Sequence, residues 1–399
     1  MKDDFLKYQA QTTPHPLGME VSHAEGSYIY DTKGTKYLDF VAGVSANSLG
    51  HRHPKVVSAI KKQLDTYMHV MVYGEYAQNP AVQLTKLLAE QLPDPLDTTY
   101  LVNSGAEAID GSIKLARRAT GRTEILYAHN AYHGNTFGAL SIMGYDERKK
   151  PFQPLLPDCH PIRFNNEDDL EQITKKTAAV VLETIQGGAG FILPKDDYLK
   201  KIRNSCDEVG ALLILDEIQP GFGRTGKLFG FEHFEIVPDI VVMGKGMGGG
   251  MPIGAFTASN EMMSLLKDNP KLGHITTFGG HPVIAAAALA TLKEITESNL
   301  REEALRKEER FRNNLQHPLI REIRGKGLML AAIVEDGDLA SEIILQCQEK
   351  GLILFWLLFE PRAIRITPPL TVSDAEIDEG CQIILDVCQS LQKKQKHNN

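Results

Sequence analysis

Through the middle of the chain, short apolar runs alternate with helix-length amphipathic segments. The runs Thr99–Val102, Glu124–Ala128, Ala178–Glu183, Leu212–Asp216, Asp239–Met243 and Ile253–Ala258 carry few polar interruptions. Such runs suit strands covered on both faces. Between them lie helical patterns such as Ala106–Thr120 and Tyr198–Val209. The alternation predicts an α/β domain with a mostly parallel central sheet. Ligands of such sheets bind at the carboxyl ends of the strands. Ser104, Glu183, Asp216 and Lys245 all stand at or just after such ends, so the pattern predicts that they converge.

The two ends of the chain read differently. Residues 20–40 predict a small antiparallel meander with turns at Glu25-Gly26 and Lys33-Gly34. From about residue 290, a charged helix, Glu294–Asn314, precedes strands at 321–334 and 352–367. The longest apolar run, LILFWLLF at 352–359, is far shorter than the roughly 20 residues a membrane span needs and reads as a buried strand. The expected division is an N-terminal segment 1–50, a large α/β domain 51–290 and a small domain 291–399 of α+β character that packs with the N-terminal segment. The polar tail KKQKHNN is expected to fray.

The 399 residues, 42% of them hydrophobic, suffice for a large core. A formal charge of −8 argues against nucleic acid as a partner. The five cysteines form no CxxC pair, as expected of reduced, mostly buried thiols in a cytosolic protein. The N-terminal stretch carries no apolar signal core. The thirteen histidines show no metal-ligand spacing, and His51-Arg-His53-Pro reads as a turn.

Three features carry chemistry. NSGAEA, 103–108, joins a strand to a helix; free amides at a helix start suit a dianion. The plainer reading is an N-cap, Ser104 with Glu107 three residues on. Asp216 ends an apolar strand, where an acid costs several kcal/mol unless paired; the protonated nitrogen of a pyridine ring would pair it, as would a metal or a helix cap. Lys245 sits in MGKGMGGG behind another strand. A flexible surface loop is the usual setting for such a lysine, but a desolvated one becomes nucleophilic and forms Schiff bases. Tyr132-His133-Gly134 places an aromatic where it would stack on a planar ring or simply pack.

Taken together and in order, DEIQPGFGRTG and PDIVVMGKGMGGGMPIGA, with NSGAEA, AYHGNT, ETIQGG, TTFGGHP and IRITPPL, resemble the class III pyridoxal-phosphate-dependent aminotransferases over roughly residues 15–375. The resemblance implies the aspartate aminotransferase fold (fold type I) and a ping-pong exchange of an amino group between a donor and a 2-oxo acid. It implies Lys245 as Schiff-base lysine and proton carrier, and Asp216 as partner of the pyridinium nitrogen. Gln219 would serve the ring 3-oxygen, with Ile218 and Tyr132 on the ring faces, and His133 and Glu183 beside the cofactor. Ser104 and the Gly105 and Ala106 amides would hold the phosphate. Thr277 resembles a threonine that reaches the cofactor of a neighbouring subunit, which implies a homodimer.

The substrate side departs from the pattern. Arg365 resembles the arginine that pairs with an α-carboxylate. In ornithine, acetylornithine and 4-aminobutyrate aminotransferases a glutamate masks that arginine; here its position is Gly188. Their second, carboxylate-binding arginine is replaced by Asn135, and a tyrosine of the ornithine enzymes by Val44. Losing a carboxylate fork costs roughly 2–4 kcal/mol of binding. The expected donor is therefore an ω- or β-amino acid or an amine, with 2-oxoglutarate or pyruvate as acceptor. The alternatives are an acetylornithine/ornithine-type enzyme, or a racemase or aminomutase of the same family. A nucleotide-binding protein fits less well, since GKGMGGG lacks P-loop spacing and no GxGxxG follows the first strand. Tyr73 and Tyr76 read as packing or substrate-entrance residues, and Arg301–Arg312 as a solvated helix face.

Overall fold

The computed structural model describes residues 1–398. Its largest sheet has seven strands in the order Thr98–Val102, Gly254–Ala258, Ile240–Gly244, Leu212–Asp216, Thr177–Glu183, Glu124–Ala128, Cys159–Ile162. Gly254–Ala258 runs antiparallel to both neighbours, and the remaining pairings are parallel. Period-two packing feeds two cores. Val180, Leu182, Leu213 and Leu215 face one side of the sheet, and Ala179, Val181 and Ile214 face the other. All seven residues of Thr177–Glu183 are buried, as its unbroken apolar pattern requires. The edge strand Cys159–Ile162 has no such signature. Its central His160 and Pro161 are exposed, and a proline is tolerated at an edge.

Local signals set the flanking helices. Ser104 Oγ accepts from Glu107 N at 3.2 Å and opens Gly105–Thr120; Gly121 closes it in the left-handed conformation, φ 66°. Gly210, φ 68°, closes Tyr198–Val209 in the same way.

The chain ends meet through a second sheet. Val21–Glu25, Tyr28–Asp31 and Lys36–Asp39 form the antiparallel meander, and Leu352–Ile353 adds to it in parallel. A third, antiparallel sheet orders Glu322–Lys326, Met329–Ile333, Ala363–Ile366 and Phe355–Trp356.

Four expectations need correction here. The run 352–359 is not one buried strand: Leu352–Ile353 and Phe355–Trp356 belong to different sheets, and Phe355 and Leu358 are exposed. The charged helix 294–314 is two helices, Pro282–Glu297 and Leu300–Asn314, because Ser298 turns extended and its hydroxyl caps the Glu294 carbonyl. The charge run within 301–312 is not simply solvated. Arg306 and Arg310 pair with Asp374 and Asp378 on the last helix, and Lys307 is buried, donating to the Leu370 carbonyl at 2.7 Å. That last helix, Asp374–Asn398, takes in the tail expected to fray, whose final residue lies outside the described residues. Among the described residues no helix is long and apolar enough to cross a membrane.

Candidate active site

The parallel strands deliver their carboxyl ends to one place. Glu183 and Asp216 are register partners on adjacent strands. Lys245 directly follows Ile240–Gly244, two strands from Glu183. A cavity of about 590 Å³ opens there. Its walls include Lys245, Asp216, Glu183, Gly105, Ala106, Ile218 and Gln219. Tyr132, His133 and Asn135 line it from the loop after Glu124–Ala128, and Val44, Gly188 and Arg365 close it from elsewhere.

Asp216 is 3% exposed. Its Oδ2 lies 2.7 Å from His133 Nδ1, and Oδ1 accepts from Ile218 N at 2.9 Å. Glu183 accepts from Tyr132 N at 3.1 Å and from Gly187 N at 2.9 Å. Burial pushes its carboxyl up to about 7; His133 opposes the shift and the Asp216 charge adds to it. A raised folded-state value means the contribution of Glu183 to stability is complete below its ordinary 4.5 and disappears as pH rises through about 7. The cofactor-free Glu183→Gln protein is therefore expected to lose less stability than wild type across that window, measured by denaturant titration. Equal losses would show that Glu183 remains ionised.

The lysine loop is not a flexible surface loop. Its glycines allow close packing. A Cβ on Gly246 would come 2.4 Å from Ser48 Oγ, and one on Gly249 2.2 Å from Thr291 Oγ1. Lys245 itself has φ 42°, a left-handed conformation that costs a non-glycine residue about 1 kcal/mol or more. Burial holds its ammonium below the usual lysine range; Asp216 opposes this, Arg365 reinforces it and Glu183 opposes it.

The cavity also collects polar atoms without partners. Gln219 Nε2, His133 Nε2, and Arg365 Nε and Nη1 are buried and unpartnered. Arg365 is 4% exposed, lies 5.5 Å over the Phe191 ring, and is pushed down to about 10 by burial. Gly105 and Ala106, the first residues of a 16-residue helix, line the wall. A Cβ on Gly105 would come 2.5 Å from Ile218 Cδ1, so only glycine leaves that wall open. Ser104 does not line the cavity; its hydroxyl caps the helix, the plainer of its two expected roles.

This donor set fits pyridoxal phosphate. The helix start suits its phosphate, Asp216 suits a protonated ring nitrogen, and Gln219 suits the ring oxygen. Lys245 suits the aldehyde carbon. Among the described residues no group of three or more His, Cys, Asp or Glu is placed to hold a metal.

Asn135 Nδ2 donates to the Tyr132 hydroxyl at 3.2 Å, and Val44 adopts φ 60°, ψ 51° at the cavity wall. A side chain at position 188 has no room: a Cβ on Gly188 would come 2.7 Å from Phe359 Cδ2. Thr277 lies outside the cavity and is exposed. Its neighbour Thr276 lines a separate groove of about 620 Å³ with Tyr73 and Tyr76, so those tyrosines do not line the entrance above Lys245. The structure adds Phe355, Trp356 and Leu358 to the cavity. Sequence reasoning assigned them to a buried strand; their aromatic density just before IRITPPL was the available signal.

The fold and this site define a pyridoxal-phosphate-dependent transferase of fold type I. The sequence matches the profile of the family described as Aminotransferase class-III over residues 8–388. It is 41% identical over 379 residues to the acetylornithine aminotransferase of Caldanaerobacter subterraneus subsp. tengcongensis, covering 92% of this chain and 94% of that protein. The Bacillus subtilis acetylornithine aminotransferase is 39% identical over 369 residues, covering 91% and 93%. An ornithine aminotransferase structure from Toxoplasma gondii, with partial occupancy of pyridoxal phosphate at its active site, superposes with a TM-score of 0.91 at 30% identity, covering 99% of this chain and 96% of that one. The chain belongs to the class III aminotransferases, and its cofactor is pyridoxal phosphate.

Proposed function

We propose that this aminotransferase takes a terminal, ω-placed amino group from its donor and passes it to a 2-oxo acid whose carboxylate pairs with Arg365. The observation that carries the reading is Arg365 itself, buried at the cavity wall with Nε and Nη1 unpartnered and no acidic side chain bonded to it. A planar fork in that state suits a bidentate carboxylate.

The bound cofactor supplies an electron sink for a broken Cα–H bond. The chain's own groups do the rest. Lys245 would hold the cofactor's carbonyl carbon and would serve as the base that moves the Cα proton. Asp216, braced by His133, would keep the ring nitrogen protonated. Gln219 would donate to the ring oxygen and Ile218 and Tyr132 would flank the ring, while Glu183 orients the Tyr132 and Gly187 amides. Gly105 and Ala106, at the helix start, would hold the phosphate, with Ser104 capping the same helix. Thr277 serves the cofactor of a second copy in a homodimer. Its exposure, beside exposed Ile275 and Phe278, supports that role.

Whole-chain likeness favours an acetylornithine- or ornithine-type donor within this class. Three positions favour a second reading, simple ω-amines or β-amino acids with 2-oxoglutarate or pyruvate as acceptor. Gly188 offers no masking acid, Asn135 no second fork and Val44 no hydroxyl.

A donor panel on the cofactor-loaded enzyme separates the two, read by the absorbance change of the donor half-reaction. Preference for acetylornithine or ornithine supports the first, and preference for simple amines the second. Transfer only from α-amino groups would overturn the ω-amino reading. Arg365→Gln is expected to raise the KM for the 2-oxo acid about thirtyfold or more, the equivalent of roughly 2 kcal/mol. An unchanged KM would remove Arg365 from the acceptor site.

A further inference from the structure

We propose that Phe355, Trp356 and Leu358 form an apolar subsite beside Arg365 that takes an uncharged aliphatic or aryl body of the amino donor. This deepens the ω-amino reading above and rests on it. Phe355 stands directly opposite Arg365 in an antiparallel strand pair. Side chains of such a pair project from one face of the sheet, so an apolar surface adjoins the guanidinium. All three residues line the Lys245 cavity. Phe355 is 40% and Leu358 39% exposed, and Val44, 38% exposed, lines the same space. The polar end of Trp356 is already satisfied, Nε1 donating to Ser341 Oγ at 2.9 Å. What remains is apolar area awaiting cover.

The neighbours leave no acid free to pair with a cationic group at this wall. Phe359 is pinned by its amide, which donates to the Gly188 carbonyl at 2.9 Å. Its ring stacks on Tyr145 at 5.0 Å, with the Arg148 guanidinium 5.6 Å from its centre. The ring fills the space where a side chain at 188 would begin, so no acid enters from that position. The acids that do line the cavity, Glu183 and Asp216, accept hydrogen bonds within the chain. Asn135 is bonded to the Tyr132 hydroxyl. A neutral, apolar group is what this surface can desolvate at no polar cost.

The test uses the cofactor-loaded enzyme and two readouts. In the first, kcat/KM is measured for straight-chain primary amines from propylamine to hexylamine with one 2-oxo acid. It is expected to rise about threefold to fourfold per methylene, the value of burying one CH₂. Phe355→Ala is expected to flatten the series, and Phe355→Leu to restore most of it. The second readout is independent of turnover. Trp356 is the only tryptophan of the chain, so its fluorescence reports occupancy of the wall. Hexanoate, spanning Arg365 and the wall, is expected to bind at least about tenfold tighter than acetate, with the ratio reduced in Phe355→Ala. A flat amine series together with equal binding of the two acids overturns the subsite, even if ω-amines are good donors. A climbing series that Phe355→Ala leaves unchanged also overturns it. Tighter hexanoate binding with no transfer from any ω-amine supports the subsite and overturns the ω-amino reading instead.

Discussion

Replacing Lys245 with alanine is expected to reduce amino transfer by at least about a thousandfold, the range general acid–base and nucleophilic roles together command. The lysine occupies a unique position. Among the described residues it is the one amine that lines the cavity, and burial holds it below the usual lysine range. More of it is therefore the free, nucleophilic amine at neutral pH than for a solvated lysine. The loop that presents it is packed against Ser48 and Thr291, so the truncated side chain leaves no slack by which another amine could take over. Single-turnover measurement with the preferred donor checks the rate. A Lys245→Ala protein that loads cofactor yet turns over within tenfold of wild type would place the chemistry elsewhere.

Asp216→Asn is expected to cost about a hundredfold or more in turnover. The mutation exchanges a buried charge for a dipole, and a hundredfold in rate corresponds to about 2.7 kcal/mol of lost transition-state stabilisation. The asparagine keeps the size and can still accept from Ile218 N, so the local fold is retained. What is lost is the negative charge at the cavity wall, 2.7 Å from His133, that would keep a ring nitrogen protonated. The effect should fall on kcat rather than on substrate KM. Cofactor occupancy, read by absorbance, should remain. Unchanged kcat with full occupancy would assign Asp216 to holding the fold alone. His133→Ala is expected to give a smaller loss in the same direction, because it braces Asp216 without touching the reacting atoms.

Several parts of the fold were legible from pattern alone. Glu124–Ala128 and Leu212–Asp216 were predicted to the residue, because strands buried on both faces need unbroken apolar runs bounded by polar residues. Cys159–Ile162 escaped notice because an edge strand is wetted and needs no such run. The run 352–359 misled for the opposite reason. Its apolar residues serve two sheets and a cavity wall, and hydropathy does not distinguish a side chain covered by protein from one left facing a substrate space. The glycines of the lysine loop were equally ambiguous until their neighbours were known.

The sequence by itself determined the reaction class. Lys245, Asp216, Gln219 and the 104–106 helix start follow the carboxyl ends of strands that run the same way in one sheet, and such a sheet brings those ends together whatever the details of packing. The tertiary structure alone decided the rest of the site. Residues 44, 135, 188, 355 and 365 meet through contacts that no local pattern encodes. It showed that Gly188 is closed off by Phe359, that Thr277 lies outside its own cavity, and that an aromatic wall adjoins Arg365. Strand ends are set by local hydrophobic periodicity; cavity walls are set by which distant surfaces find one another when the core closes.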